Sequence, residues 1–333
     1  MPANLHTVVG LAEMALWLRK NLSLDHVPPN PMVLEELIAK RMPKLALSYL
    51  KDDDISAYKE EVAQIYSLLA WVDDGMPVYD ITHSLMAALL LTDPSEVNLS
   101  EVKLPFGTFV VRLPQPFWAT TSDEGAPAAV THVIVGHLMV PKLSRDGQGK
   151  VVMVGEEPKI VTRLTTSDGR QSFERRPDLT DVGTVGDWIA HEFTPVNPGN
   201  IPRPKSTEQH MLVSFRRLLA NLCLYLAQNG RGEKLGGSTK RVPGRKPIYV
   251  PQPDIWVIGR EVKLDRELVD SAKAWTEDNG GRPEGWRLRS RFTVQGHWRS
   301  VAHGPGRVER RRQWIAPYWK GQGPSFSHVY KVE

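Results

Sequence analysis

Apolar residues recur at helical spacing through residues 1–95. Leu5, Val8, Val9, Ala12 and Leu16 form one stripe. Pro28, Pro29 and Pro31 then interrupt the pattern, since proline lacks the N–H that a helix interior needs. Asn30-Pro31 is a cap and first-turn pair for a second helix, with Leu34, Leu37 and Ile38 inward. A longer helix capped by Asp54 carries Ile55, Tyr58, Val62, Ile65, Leu69 and Val72 on one face and stops at Gly75. Residues 79–91 are apolar nearly all round, the pattern of a buried helix, with His83 expected as a hydrogen-bonded core histidine.

From residue 104 the period becomes two, which predicts strands over 107–113, 128–140, 151–154 and 160–164. Short loops between them, one of them marked by Arg145-Asp146-Gly147, predict antiparallel neighbours. Helices then return. Thr184 with Asp187, and Ser206 with Gln209, have capping-box spacing. Between these helices Pro195, Pro198, Pro202 and Pro204 mark an extended linker. The second helix has the clearest stripe in the chain, with Met211, Phe215, Leu218, Leu222 and Leu226 before a stop at Gly230. A basic loop follows over 230–253. A short buried strand comes next over 255–258, and a helix over 265–275.

The last patterned stretch, 287–321, reads as a twisted hairpin. Alternation around His297 and Trp298 predicts one strand, Gly304-Pro305-Gly306 the turn, and 313–319 the returning strand. The expected fold class is therefore α+β: a helical region, 1–95, packed on a mostly antiparallel sheet. That sheet belongs to an α+β domain over 104–333 and is crossed by the helix over 207–229.

Charge singles out the hairpin. Residues 1–100 hold 7 Lys/Arg against 14 Asp/Glu, a net −7, while residues 282–320 hold 10 against 2, a net +8. Such asymmetry points to an acidic partner at the basic end, unless the two ends neutralise each other. The hairpin offers Arg287, Arg289, Arg291, Arg299, Arg307, Arg310, Arg311, Arg312 and Lys320 as cations. Arginine forks pair with phosphate or carboxylate through two parallel hydrogen bonds. His297, Trp298, Trp314 and Trp319 complete the candidate binding set, as flat rings for stacking or as packing for the strands. Three consecutive arginines cannot share one face, so some of Arg310, Arg311 and Arg312 are exposed.

Other chemistry is thin. The single cysteine, Cys223, sits among leucines, which excludes an intrachain disulfide and predicts a buried, inert thiol. Gly232 to Gly237 has P-loop glycine spacing, but Ser238 stands where the lysine belongs. No nucleophile elbow, dinucleotide fingerprint or helical histidine pair is present. Asp146 with Glu157-Pro158-Lys159 is a weak nuclease-like pattern. No cofactor or metal is expected. With no leader-like opening and no apolar run long enough to span a bilayer, the expected setting is cytoplasmic.

The Gly296-His297-Trp298-Arg299 run, the arginines before it and the Arg311-x-x-Trp314 strand after it resemble the end of a type V-A anti-CRISPR family carried by phages and other mobile elements. Weaker similarity over 104–113, 211–226 and 248–261 extends this to the C-terminal two thirds; the Gly304-Pro305-Gly306 turn departs from it. The resemblance implies a non-catalytic anti-defence protein of the bacterial host's cytoplasm. Its partner would be the nascent N-terminal peptide of a target effector nuclease at the ribosome, with loss of that effector's mRNA and protein. It supplies no catalytic residues. From the residues alone, an RNA-binding protein or metal-dependent nuclease using the basic hairpin is the alternative.

Overall fold

The computed structural model describes residues 8–28, 31–43, 55–114, 119–121, 127–145, 151–166, 171–177, 183–190, 206–235, 253–264, 266 and 292–320. In chain order the elements used below begin with α1 (Val8–Asn21), α2 (Pro31–Arg41), α3 (Ile55–Asp73), β1 (Pro77–Ile81), α4 (His83–Leu90) and β2 (Thr92–Asp93). The sheet strands β3 (Thr108–Arg112), β4 (Ala119–Thr121), β5 (Pro127–Arg145), β6 (Val151–Thr166) and β7 (Gln171–Pro177) come next. Then come α5 (Val185–Ala190), α6 (Ser206–Asn229), β8 (Glu233–Leu235), β9 (Asp254–Ile258), β10 (Phe292–Val294), β11 (Gly296–His303), β12 (Glu309–Ile315) and β13 (Tyr318–Lys320). The α+β class holds. The expected linker over 195–204, the helix over 265–275 apart from residue 266, and Arg287, Arg289 and Arg291 lie outside the described residues.

Two units form, each from separated segments of chain. The first takes residues 1–81, 104–181 and 231–258. Its sheet has the order β7-β6-β5-β3-β1-β9-β8, with β4 beside β5. β1 runs parallel to β3 and β9, and the remaining pairs are antiparallel. Helices α1 to α3 cover one face, where Val78, Val110, Ile134 and Val161 join the helices' apolar residues in one core. Val111, Val133, Val135, Tyr79 and Phe109 on the opposite face are buried too. There Tyr79, Phe106, Phe109 and Trp256 meet ring to ring, with the Arg231 guanidinium 4.3 Å from the Phe106 centroid.

Several sequence expectations change here. Residues 79–91 are not one helix: β1 ends at Ile81, Thr82 caps, and α4 starts at His83. A parallel strand buried on both faces reads as a continuous apolar run, as a buried helix does. His83 is exposed in the first turn of α4, not a core histidine. In α1 Val8 and Ala12 of the expected stripe are buried, together with Leu11, Ala15 and Leu18, but Val9 is 60% exposed. The strands expected over 151–154 and 160–164 are one strand, β6, paired along β5 with register shifts at Val130/His132 and Lys142/Leu143. Gly75 does end α3: it has φ +81°, its N–H bonds the Val72 carbonyl, and the Met76 N–H bonds that of Trp71. The next carboxylate, Asp74, then accepts the Thr108 N–H at 2.6 Å and ties the helix end to β3. Burial pushes its pKa up.

The second unit takes residues 82–103, 182–230 and 259–333. The Thr184 capping box forms as spaced: Asp187 accepts the Thr184 N–H at 3.0 Å, and Thr184 Oγ1 accepts the Asp187 N–H at 3.2 Å. Phe215, Leu218 and Leu222 of α6 are buried as the stripe requires, and Gly230 (φ +75°) stops the helix. Cys223 is buried too, and burial alone pushes its thiol up to about 12. It is inert, as expected.

Asn221 lies at the centre of this unit, with no exposure. Its amide donates to the carbonyls of Leu89 (2.8 Å) and Thr92 (3.0 Å). Its Oδ1 accepts the Trp298 indole N–H at 2.7 Å. Asn221→Leu keeps the volume but leaves three buried partners unpaired. The expected cost is about 3 kcal/mol, read as the shift of the urea midpoint at constant slope. A loss below about 0.5 kcal/mol would show that the network carries little stability.

Candidate functional site

The basic end is a hairpin as the turn signal demands, but its strands are longer than the alternation suggests. β11 pairs β12 from His297↔Ile315 to His303↔Glu309. β10 pairs β13 from Phe292↔Lys320 to Val294↔Tyr318 in the same register. The two ladders are halves of one hairpin, broken at Gln295–Gly296 and Ala316–Pro317. Pro317 has no N–H to donate. Gly296 turns aside to pair with Thr92 of β2 and donates its N–H to the Leu91 carbonyl at 3.0 Å. A Cβ at Gly296 would meet Thr92 Oγ1 at 2.3 Å and the Ile315 carbonyl at 3.1 Å, so only glycine fits.

Residues opposite each other in an antiparallel pair share a face. Trp298 with Trp314, Ser300 with Arg312 and Ala302 with Arg310 therefore make the inner face. His297, Arg299, Val301 and His303, with Ile315, Gln313, Arg311 and Glu309, make the outer one.

The inner face is anchored. Trp298 is only 7% exposed. Trp314 stacks on it at 6.4 Å, meets Tyr225 edge-on at 5.5 Å and donates its indole N–H to Thr92 Oγ1 at 3.0 Å. Arg312 grips Glu101 through two parallel bonds, Nε to Oε2 at 2.9 Å and Nη2 to Oε1 at 2.8 Å. The paired guanidinium holds the Glu101 carboxyl below its ordinary pKa, and Glu101 in turn raises that of Arg312. Arg310 is exposed at the far end of the same face.

On the outer face Arg299 and Arg311 are exposed, and Arg307 is exposed at the tip with φ +56°. Trp319 is half-buried opposite Thr293, and Lys320 is exposed. The arginine triplet divides between the faces as consecutive strand residues must: Arg310 and Arg311 are exposed on opposite faces, free of carboxylates among the described residues, while Arg312 is already engaged. Sequence reading missed Asn221, Glu101 and Thr92. A lone Asn in an apolar helical stripe was the available signal for the first. Nothing marked Glu101 as the partner of a residue 211 positions away.

The architecture and the hairpin define an α+β protein that presents arginines on a rigid β-ribbon. The sequence profile of the AcrVA2-like family, anti-CRISPR type V subtype A2, matches residues 79–322, and the chain belongs to that family. It is thereby an anti-defence protein, and the match spans the whole described hairpin. A crystal structure of AcrVA2 is similar over 94% of each chain, with 14% identity and a TM-score of 0.46. No curated protein matches the chain.

The Glu101–Arg312 pair gives a pH signature. Because the folded pKa of Glu101 lies below its ordinary 4.5, the pair's contribution is complete above that pH. It is lost as the pH falls through the folded value. Both partners are partly exposed, so the contribution is about 1 kcal/mol. Glu101→Gln is expected to lower stability by this amount at neutral pH and to flatten the acid limb of a melting-temperature profile. An unchanged acid limb would assign that limb to other carboxylates.

Proposed function

We propose that the protein recognises the N-terminal peptide of a target effector nuclease as it leaves the ribosome, and so lowers the amount of that effector's mRNA and protein. It acts in the cytoplasm of the bacterial host as a binder, not an enzyme. The observation that carries this reading is the family match over residues 79–322, a range that includes the basic hairpin. The hairpin supports it: an exposed cationic ribbon suits work beside a polyanionic ribosome.

Among the described residues no three His, Cys, Asp or Glu side chains group as a metal site, and no helix is long and apolar enough to cross a membrane. Of the nuclease-like pattern, Glu157 takes its place in the β5–β6 ladder opposite Val140, and Asp146 lies outside the described residues.

The test is translation of an effector message in extract with the purified protein. Message loss is expected to follow the encoded N-terminal peptide: synonymous recoding keeps it, and a frameshift that preserves nearly all the nucleotides abolishes it. Loss that follows nucleotide sequence, or that occurs with translation blocked, would favour the RNA-binding or nuclease alternative. The purified protein with labelled RNA and Mg²⁺ or Mn²⁺ is expected to leave the RNA intact.

A further inference from the structure

We infer that the outer face of the β11–β12 ribbon is a binding surface for an RNA phosphate backbone, read without regard to base sequence. The inference rests on placing the contact surface of this family member on its hairpin, but not on which peptide is recognised.

Unpaired charge is left over on one face of the ribbon. Arg312 is satisfied by Glu101. Arg299 and Arg311 share the outer face, diagonal to one another across the ladder, and Arg307 stands at the tip next to Val308, which is 80% exposed. The one acid on that face, Glu309, stands beside the turn at the end of the ladder, opposite His303. His303 Nδ1 lies 3.1 Å from its Oε2, and its carboxyl carbon lies 2.9 Å from where a Cβ on Gly304 would sit. Even with Glu309 counted, the outer face and tip carry the three guanidiniums of Arg299, Arg307 and Arg311 against one carboxylate.

The second step is what the face lacks. Ribbons that read single-stranded bases present aromatic platforms for stacking. Here both tryptophans of the ribbon point inward: Trp298 is buried and Trp314 is half-buried against Tyr225 and Thr92. Between β11 and β12 the outer face offers cationic forks and, besides the imidazoles of His297 and His303, no aromatic ring, the chemistry of phosphate contact, which positions without specifying sequence.

The third step is rigidity. Trp298 hydrogen-bonds Asn221, and Gly296 is stitched to Leu91 and Thr92, so the arginine stems stand on a fixed base. Less ordering is then needed on binding than a free tail requires.

The experiment measures binding of full-length protein to a mixed-sequence single-stranded RNA across a salt series. The double variant Arg299→Ala/Arg311→Ala is expected to lower the log–log salt slope by about 1.4, two phosphate contacts' worth for a single strand. Its melting temperature is expected to be unchanged. Arg299→Lys/Arg311→Lys keeps the charge and is expected to keep most of the slope, which guards against a misfolded alanine variant. Arg312→Gln is expected to melt early with the slope intact. An unchanged slope in the alanine double variant, no RNA binding by the parent, or tighter binding to polyglutamate than to RNA of equal charge would each overturn the inference. The last would assign the face to an acidic protein. Peptide-dependent message loss in the translation assay is a separate readout. If it survives while RNA binding is absent, the functional reading stands and this inference alone fails.

Discussion

A buried asparagine with every polar group satisfied fixes where the basic ribbon can sit. Asn221 has two N–H donors and one oxygen acceptor pointing into an apolar interior. The Leu89 and Thr92 carbonyls take the donors, and the Trp298 indole supplies the acceptor's partner. Thr92 extends the network, with its hydroxyl 2.7 Å from the Ala88 carbonyl and accepting the Trp314 indole N–H. In a low-dielectric core such a network has one good arrangement, and partial satisfaction costs more than an apolar filling would. Two indoles on opposite strands must therefore reach two fixed acceptors. A one-residue slip of one strand against the other would turn that strand's indole to solvent and, in β11, press His297 and Arg299 inward. The register of the ribbon is set by this constraint more than by its turn.

That register decides which arginines are available. With Trp298 and Trp314 inward, parity sends Arg312 inward to Glu101 and Arg299 and Arg311 outward. The sequence offered two readings of the charge asymmetry: neutralisation of one end by the other, or an acidic partner. Among the described residues, the neutralisation found at the ribbon's arginines is the Arg312–Glu101 pair, and Glu101 lies just past the acidic segment 1–100. Arg299, Arg307, Arg310 and Arg311 keep their charge for solvent or a partner.

The parts legible in sequence were those set by local rules. The α6 stripe, its Gly230 stop, the Thr184–Asp187 box, the Gly304-Pro305-Gly306 turn and the α+β class follow from spacing alone. The parts that failed were set by tertiary context. β1 looked helical because burial on both faces erases the alternation that identifies a strand. The α1 stripe was only partly right: Val8 and Ala12 do reach the core, but Leu11, Ala15 and Leu18 join them there and Val9 does not. At the ribbon, arginine-richness was plain, but which guanidinium was spent on an internal carboxylate depended on Glu101, far away in sequence. The inward aim of the tryptophans likewise depended on Asn221 and Thr92.

A ribbon built this way separates anchoring from exposed charge. The inner face carries buried rings and a polar network that tolerate little change. The outer face carries charges whose removal leaves the core untouched, because exposed, unpaired arginines contribute little to folding. The outer-face residues can then vary without unfolding the protein, while Gly296, Trp298, Thr92 and Asn221 cannot vary independently of each other. Gly296 shows the coupling most directly. Its missing side chain lets β11 approach Thr92 closely enough to pair with β2, and that approach places Trp298 over Asn221 two residues later. Adding one methyl there would cost about 1–3 kcal/mol by overpacking. It would also push the ribbon away from the network that sets its register, so the outer arginines would lose their fixed spacing even though none of them had been touched.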